Sequence, residues 1–147
     1  MKAARILLAE DSAQDVELTL NALAGHNISN SVAVARDGAE ALDYLYQRGA
    51  YARREEGNPV LLLLDLKMPR VDGLEVLRTV KSDPRLRTIP VVILTSSREE
   101  QDVVRSYELG VNAYVVKPVE FDKFLRAVRE VGLFWMLVNE PPPAASS

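Results

Sequence analysis

Glu10 and Asp11, Asp65, Thr95 and Lys117 are the residues whose types and spacing suit chemistry, because each set stands at the end of a short apolar run. Three carboxylates brought together repel one another and hold protons more tightly unless a cation shares the site. One lysine supplies a single positive charge, so a divalent cation is expected. The ligands on offer are hard oxygens: Cys is 0, and the single histidine, His26, cannot build a multi-histidine site. Magnesium, or manganese, is therefore favoured over zinc or copper. Magnesium keeps several waters and takes phosphate as a co-ligand, which points to phosphoryl chemistry. Asp65 is then the candidate nucleophile, because a carboxylate can take up a phosphoryl group as an acyl phosphate. The metal and Lys117 would stabilise charge on the transferring oxygens.

The apolar runs that must carry these residues are Ile6 to Ala9, Val60 to Leu64, Val91 to Leu94 and Tyr114 to Val116. They read as buried parallel strands, and the weaker run Val32 to Ala35 reads as a fifth strand nearer a sheet edge. Helical spacing separates them. The first helix starts at Ser12, whose hydroxyl can cap free amides, turns Val16, Leu20 and Leu23 inward and stops at Gly25. A second, after Asp37 and Gly38, places Leu42, Leu45 and Tyr46 on one face. A third carries Gly73, Val76, Leu77 and Val80, and a fifth carries Phe121, Phe124, Leu125 and Val128. The fourth, Arg98 to Leu109, has only the short stripe Val103, Val104 and Tyr107, and is expected to be loosely held. Alternating strand and helix implies right-handed crossovers and a doubly wound α/β fold. In such a sheet the functional crevice lies beyond the carboxyl ends of the strands, where all of these polar residues should converge.

With those residues in place, the chain resembles the receiver domains of two-component response regulators from Ile6 to about Val131. The resemblance is carried by Glu10-Asp11, by Leu64-Asp65-Leu66-Lys67-Met68-Pro69 leading to Asp72-Gly73, by Leu94-Thr95-Ser96 and by Lys117-Pro118. It implies a flavodoxin-like sheet of strand order 2-1-3-4-5, with Asp65 as phosphoacceptor. Glu10, Asp11, Asp65 and the main-chain carbonyl of Lys67 would bind magnesium, Lys117 would contact the phosphoryl group, and Thr95 would be the switch hydroxyl. Tyr114 matches the aromatic residue that turns inward when that hydroxyl moves. Lys67 departs from the neutral residues more common at its place, and Ser97 raises the same question, so the lifetime of an acyl phosphate is not carried over.

A finer resemblance is to single-domain regulators that partner phytochrome-type histidine kinases. It rests on Ser12 to Leu20, the long loop after the second helix, Pro69-Arg70-Val71-Asp72-Gly73, Phe134-Trp135 and Asn139-Glu140-Pro141. In that group the last helix, extended past the usual receiver end, often joins a homodimer made through the fourth helix, fifth strand and fifth helix. Leu133 to Val138 would be that extension, with Phe134, Trp135 and Leu137 as interface residues. Its apolar character all round calls for a covering partner or a fold-back.

Composition sets the outer bounds. At 147 residues, 48% hydrophobic, the chain suits one core: a receiver over 1–139 and a Pro-rich tail over 140–147. With no output domain expected, output would pass through a partner or back along a phosphorelay. A net charge of -3 gives no attraction to nucleic acid. No apolar stretch nears the roughly 20 residues of a membrane helix, and the acids at 10 and 11 come too soon for an export signal. A cytoplasmic protein is expected. A magnesium-dependent aspartyl phosphatase would usually carry a second aspartate where Lys67 stands, which argues for a switch and against a turnover enzyme. A nucleotide-binding module lacks its glycine-rich turn at Ala9-Glu10-Asp11-Ser12, and a metal-free docking module would not need the full acidic set. Thr95 as a simple cap, Tyr114 as plain core, and Arg53 to Glu56 as a solvated loop are the bland alternatives.

Overall fold

The computed structural model describes residues 5–24, 31–55, 57–111 and 113–132. Five strands form one parallel sheet in the order β2-β1-β3-β4-β5: β1 Arg5–Ala9, β2 Ser31–Ala35, β3 Leu61–Asp65, β4 Val91–Thr95 and β5 Tyr114–Val116. The helices are α1 Ala13–Leu23, α2 Gly38–Leu45, α3 Gly73–Ser82, α4 Arg98–Ser106 and α5 Phe121–Glu130. This is the expected doubly wound architecture. Asp65 and Thr95 close their strands as ladder members, one place earlier in the loop order than the sequence reading set them.

Alternation along the strands divides the core into two layers. Leu7, Leu62, Leu64 and Ile93 face Tyr44, Leu45, Val76, Leu77, Val80 and Val104 of α2, α3 and α4. Ile6, Leu8, Leu61, Leu63 and Leu94 face Val16 and Leu23 of α1 and Phe124, Ala127 and Val128 of α5. Ser12 caps α1, Asp37 caps α2, Asp72 caps α3 and Ser97 caps α4, each side chain accepting an amide of the first turn.

Several details correct the sequence reading. In α2 the buried side chains are Ala41, Tyr44 and Leu45, with Leu42 and Tyr46 only half-buried, because Tyr46 is already the C-cap. In α1 Thr19 is buried while Leu20 is half-buried. α4 stops at Ser106, three residues early, because Glu108 takes the left-handed conformation (φ 51°). Of its expected stripe only Val104 is buried; Val103 and Tyr107 are 52% and 45% exposed. The polar loop after α2 is tied down and not merely solvated. Tyr51 packs edge-on against Tyr44 and donates to Glu40 at 2.6 Å. Arg54 lies over the Tyr44 ring at 4.2 Å and donates to the carbonyls of Tyr44, Glu55 and Gly57. α5 reaches its C-cap at Val131, and Gly132 follows with φ 76°. Gly25, His26, the expected extension Leu133 to Val138 with Phe134, Trp135 and Leu137, and the tail 140–147 lie outside the described residues.

Candidate phosphoacceptor and metal site

Strand register builds the site. Ala9 is level with Leu64 and Asp65 with Leu94, so Glu10, the next residue after β1, comes alongside Asp65. Thr95 is level with Val116, which places Lys117 one residue further on. Glu10, Asp65 and Thr95 are all buried, at 0%, 3% and 0% exposure, whereas Asp11 is exposed. Carboxylate oxygens of Glu10, Asp11 and Asp65 lie within 4.8 Å of one another. The Lys117 ammonium is 3.2 Å from Asp65 Oδ1, 3.3 Å from Glu10 Oε1 and 3.1 Å from Asp15 Oδ2. A cis peptide joins Lys117 to Pro118.

Three carboxylates thus share one ammonium. Burial, and then the charge of Asp65, push Glu10 up to about 7. Burial also raises Asp65, against the pull of Glu10 and Lys117. At Lys117 burial works against the charge, but Asp65, Asp15 and Glu10 outweigh it and hold the amine above its ordinary range. Both buried acids are thus strained as anions, and a divalent cation would relieve them. Three converging hard oxygens with one open, exposed member, Asp11, fit magnesium or manganese.

The structure gathers Glu10, Asp11, Asp65 and Lys117, and Thr95 ends the neighbouring strand one residue beyond the partner of Asp65. Glu10, Asp65 and Lys117 share the parity of Leu8, Leu63 and Val115, the layer under α1 and α5. Thr95 and Tyr114 take the other parity, toward α4. There Gln101 Nε2 donates to Thr95 Oγ1 at 3.4 Å. Tyr114 is half-buried, donates to the Val111 carbonyl at 3.2 Å, and carries the Arg105 guanidinium over its ring at 4.7 Å. The two candidate switch residues therefore share one parity while Glu10, Asp65 and Lys117 share the other. The Lys67 ammonium pairs with Glu100, 3.1 Å away.

Sequence reasoning missed Asp15, Glu100 and Gln101. An acid in the first turn of a helix is ordinary, so Asp15 carried no signal of its own. Its position four residues after Asp11 was the available hint, since an α1 capped at Ser12 turns that residue back over the strand end.

The glycines after β2 and β3 set the backbone of the site. A Cβ on Gly73 would lie 2.1 Å from the Asp65 carbonyl oxygen, and one on Gly38 would lie 1.8 Å from that of Val71. Arg70, in the same loop with φ 67°, grips the α2 cap Asp37 with two hydrogen bonds of 2.9 Å. The loop that follows Asp65 is thus clamped from α2 and α3 together.

Residues 6–129 match the response regulator receiver domain family. Among curated proteins, the chain is 41% identical to response regulator Rcp1 of Synechocystis sp. over 139 residues, which is 95% of this chain and 93% of that one. Among solved structures, it is similar to the bacteriophytochrome response regulator AtBRR, with TM-score 0.90 and 61% identity over 95% of this chain and all of the other. It is also similar to the Mn(2+)-bound form of Rcp1, with TM-score 0.73 and 40% identity over 96% of this chain and 99% of the other. Fold, acidic site and similarity agree, and the chain belongs to the response regulator receiver domain family of signalling proteins.

Proposed function

We propose that this chain is a magnesium-dependent phosphoacceptor switch served by a phytochrome-type sensor histidine kinase. The observation that carries the reading is Asp65, buried at the end of β3 with Glu10 and Asp11 on one side and the Lys117 ammonium 3.2 Å away. In the reaction an Asp65 oxygen attacks the phosphorus of a phosphohistidine, the phosphorus–nitrogen bond breaks, and the imidazole nitrogen keeps the electron pair and takes a proton. Glu10, Asp11, Asp65 and the Lys67 carbonyl would hold the magnesium, which screens the charge of the transferring oxygens. Lys117 neutralises Asp65 and then the phosphoryl group it carries. Asp15 keeps that ammonium aligned.

The added charge works by favouring one of two arrangements of the face bearing α4 and β5. Thr95 and Tyr114 already share that layer, which supports their switch roles. The similarity to bacteriophytochrome response regulators supports a phytochrome-type partner, and a cytoplasmic location follows from such a partner. Among the described residues no helix is long and apolar enough to cross a membrane. Output goes through a protein partner or a phosphorelay and not through direct DNA contact, and the chain acts as a homodimer anchored by Phe134, Trp135 and Leu137.

The test is transfer from a phytochrome-type histidine kinase carrying labelled phosphate. Label should appear on the wild type and not on Asp65→Asn. Label retained by Asp65→Asn would assign the acceptor elsewhere. The dimer is tested separately by sedimentation, where Trp135→Ala should shift mass toward monomer; an unchanged mass would remove Trp135 as an anchor.

A further inference from the structure

Lys67 stands two residues after Asp65, yet its ammonium rests on Glu100 in the first turn of α4, 3.1 Å from Oε2. Glu100 is not a casual surface partner. Its side chain is only 12% exposed, and it also accepts the Ser96 amide at 2.8 Å and the Ser96 hydroxyl at 2.9 Å. The Glu100 amide in turn donates to Ser97 Oγ at 3.3 Å. The carboxylate is therefore fixed by its own turn, and Lys67, whose side chain is 78% exposed, is the movable partner. The same turn holds Gln101 against Thr95 Oγ1. One short segment, 96–101, thus grips both the lysine of the β3 loop and the hydroxyl at the end of β4.

Resting on the phosphoacceptor reading above, we infer that Glu100 is a positioning residue that parks the Lys67 ammonium away from the Glu10, Asp11 and Asp65 carboxylates. The physical need is clear. Lys117 already contacts Glu10, Asp15 and Asp65, and a second ammonium leaning on the cluster would compete with a divalent cation for the same oxygens. Negative charge on a phosphorylated Asp65 would compete with Glu100 for Lys67, and a lysine that leaves Glu100 removes the tie between the β3 loop and α4. The parking contact is therefore also the link from the acceptor loop to the helix that holds Thr95.

Magnesium titration by calorimetry on the full chain tests this, using wild type, Glu100→Gln, Lys67→Met and the double variant. Glutamine keeps the size and the acceptor oxygen for Ser96 but loses the charge that holds the ammonium. Glu100→Gln should weaken magnesium binding about fivefold or more, the low end of a coupling between linked sites. Lys67→Met, which removes only the ammonium and keeps the main-chain carbonyl at 67, should bind at least as well as wild type, and in its background the Glu100→Gln change should have no effect. Equal affinity of Glu100→Gln and wild type overturns the inference. So does a loss that persists without Lys67, because Glu100 would then act only as structure. A wild type that binds no magnesium overturns the metal reading itself, and the inference with it.

Discussion

Gly73→Ala adds one methyl group at the most constrained backbone contact beside the acceptor. The ideal Cβ would sit 2.1 Å from the Asp65 carbonyl oxygen, 2.6 Å from Leu66 Cα and 2.9 Å from the Asp65 carbonyl carbon. Carbon and oxygen in close contact stand about 3.3–3.6 Å apart, so β3 and α3 must separate by roughly 1 Å. All three crowded atoms are backbone, and no side chain can swing aside. At an open site with ordinary φ the same change would stabilise by about 0.4–1 kcal/mol through the unfolded chain. Here the overpacking penalty of roughly 1–3 kcal/mol dominates. The displaced atoms are those of Asp65 itself, and the Gly73 amide bonds the Leu66 carbonyl at 2.8 Å, so the strain is passed to the Lys67 carbonyl as well. Urea unfolding followed by circular dichroism should show a loss of about 1–3 kcal/mol, and magnesium affinity should fall in the folded fraction. A Gly73→Ala protein as stable as wild type, with unchanged magnesium affinity, would refute the close-approach argument.

Other perturbations have distinct signatures. Phe124→Ala, in the fully buried centre of the α1 and α5 layer, should cost about 3–5 kcal/mol in denaturation while leaving the magnesium affinity of the folded protein unchanged. Saturating magnesium, at about a hundredfold over its dissociation constant, should stabilise the wild type by about 2.7 kcal/mol, and Asp11→Ala should lose most of that gain in thermal unfolding. Lys117→Ala leaves Glu10 and Asp65 buried without their ammonium, so stability in chelator should fall by up to about 3–5 kcal/mol and recover in part when magnesium is added. Arg70 by its hydrogen bonds, against the opposing effect of burial and with help from the Glu40 amide and the Arg70 charge, holds Asp37 below the usual aspartate range. A lowered folded pKa means stability that is full above the unfolded value and is lost as pH falls through the folded one. The stability gap between wild type and Arg70→Ala should therefore narrow on acidification, and a gap constant with pH would exclude the pair as its source.

The three central strands were legible because each is an apolar run buried on both faces, and the acids, the threonine and the lysine were legible because they end apolar runs. The first helix start was readable at Ser12 from capping chemistry alone. Packing across the chain was less accessible. Period two along a strand decides which layer a side chain enters, so Thr95, at the same sheet edge as the acids, takes the parity opposite to that of Glu10 and Asp65, which strand ends alone do not reveal. Glu100 and Asp15 are first-turn acids, a common type whose partners lie 33 and 102 positions away in the chain. The loop after α2 looked solvated because its residues are polar, but Arg54 and Tyr51 use their flat groups against Tyr44, a contact that depends on the fold. Gly73 read as part of the third helix's stripe and Gly38 as the residue before the second helix, whereas their role is close approach of backbone.

Intact mass after incubation with acetyl phosphate and magnesium tests the central claim most directly. The wild type should gain the mass of one phosphoryl group, the gain should vanish with chelator, and Asp65→Asn should show none. A phosphoryl adduct on Asp65→Asn, or one formed equally well in chelator, would contradict the account.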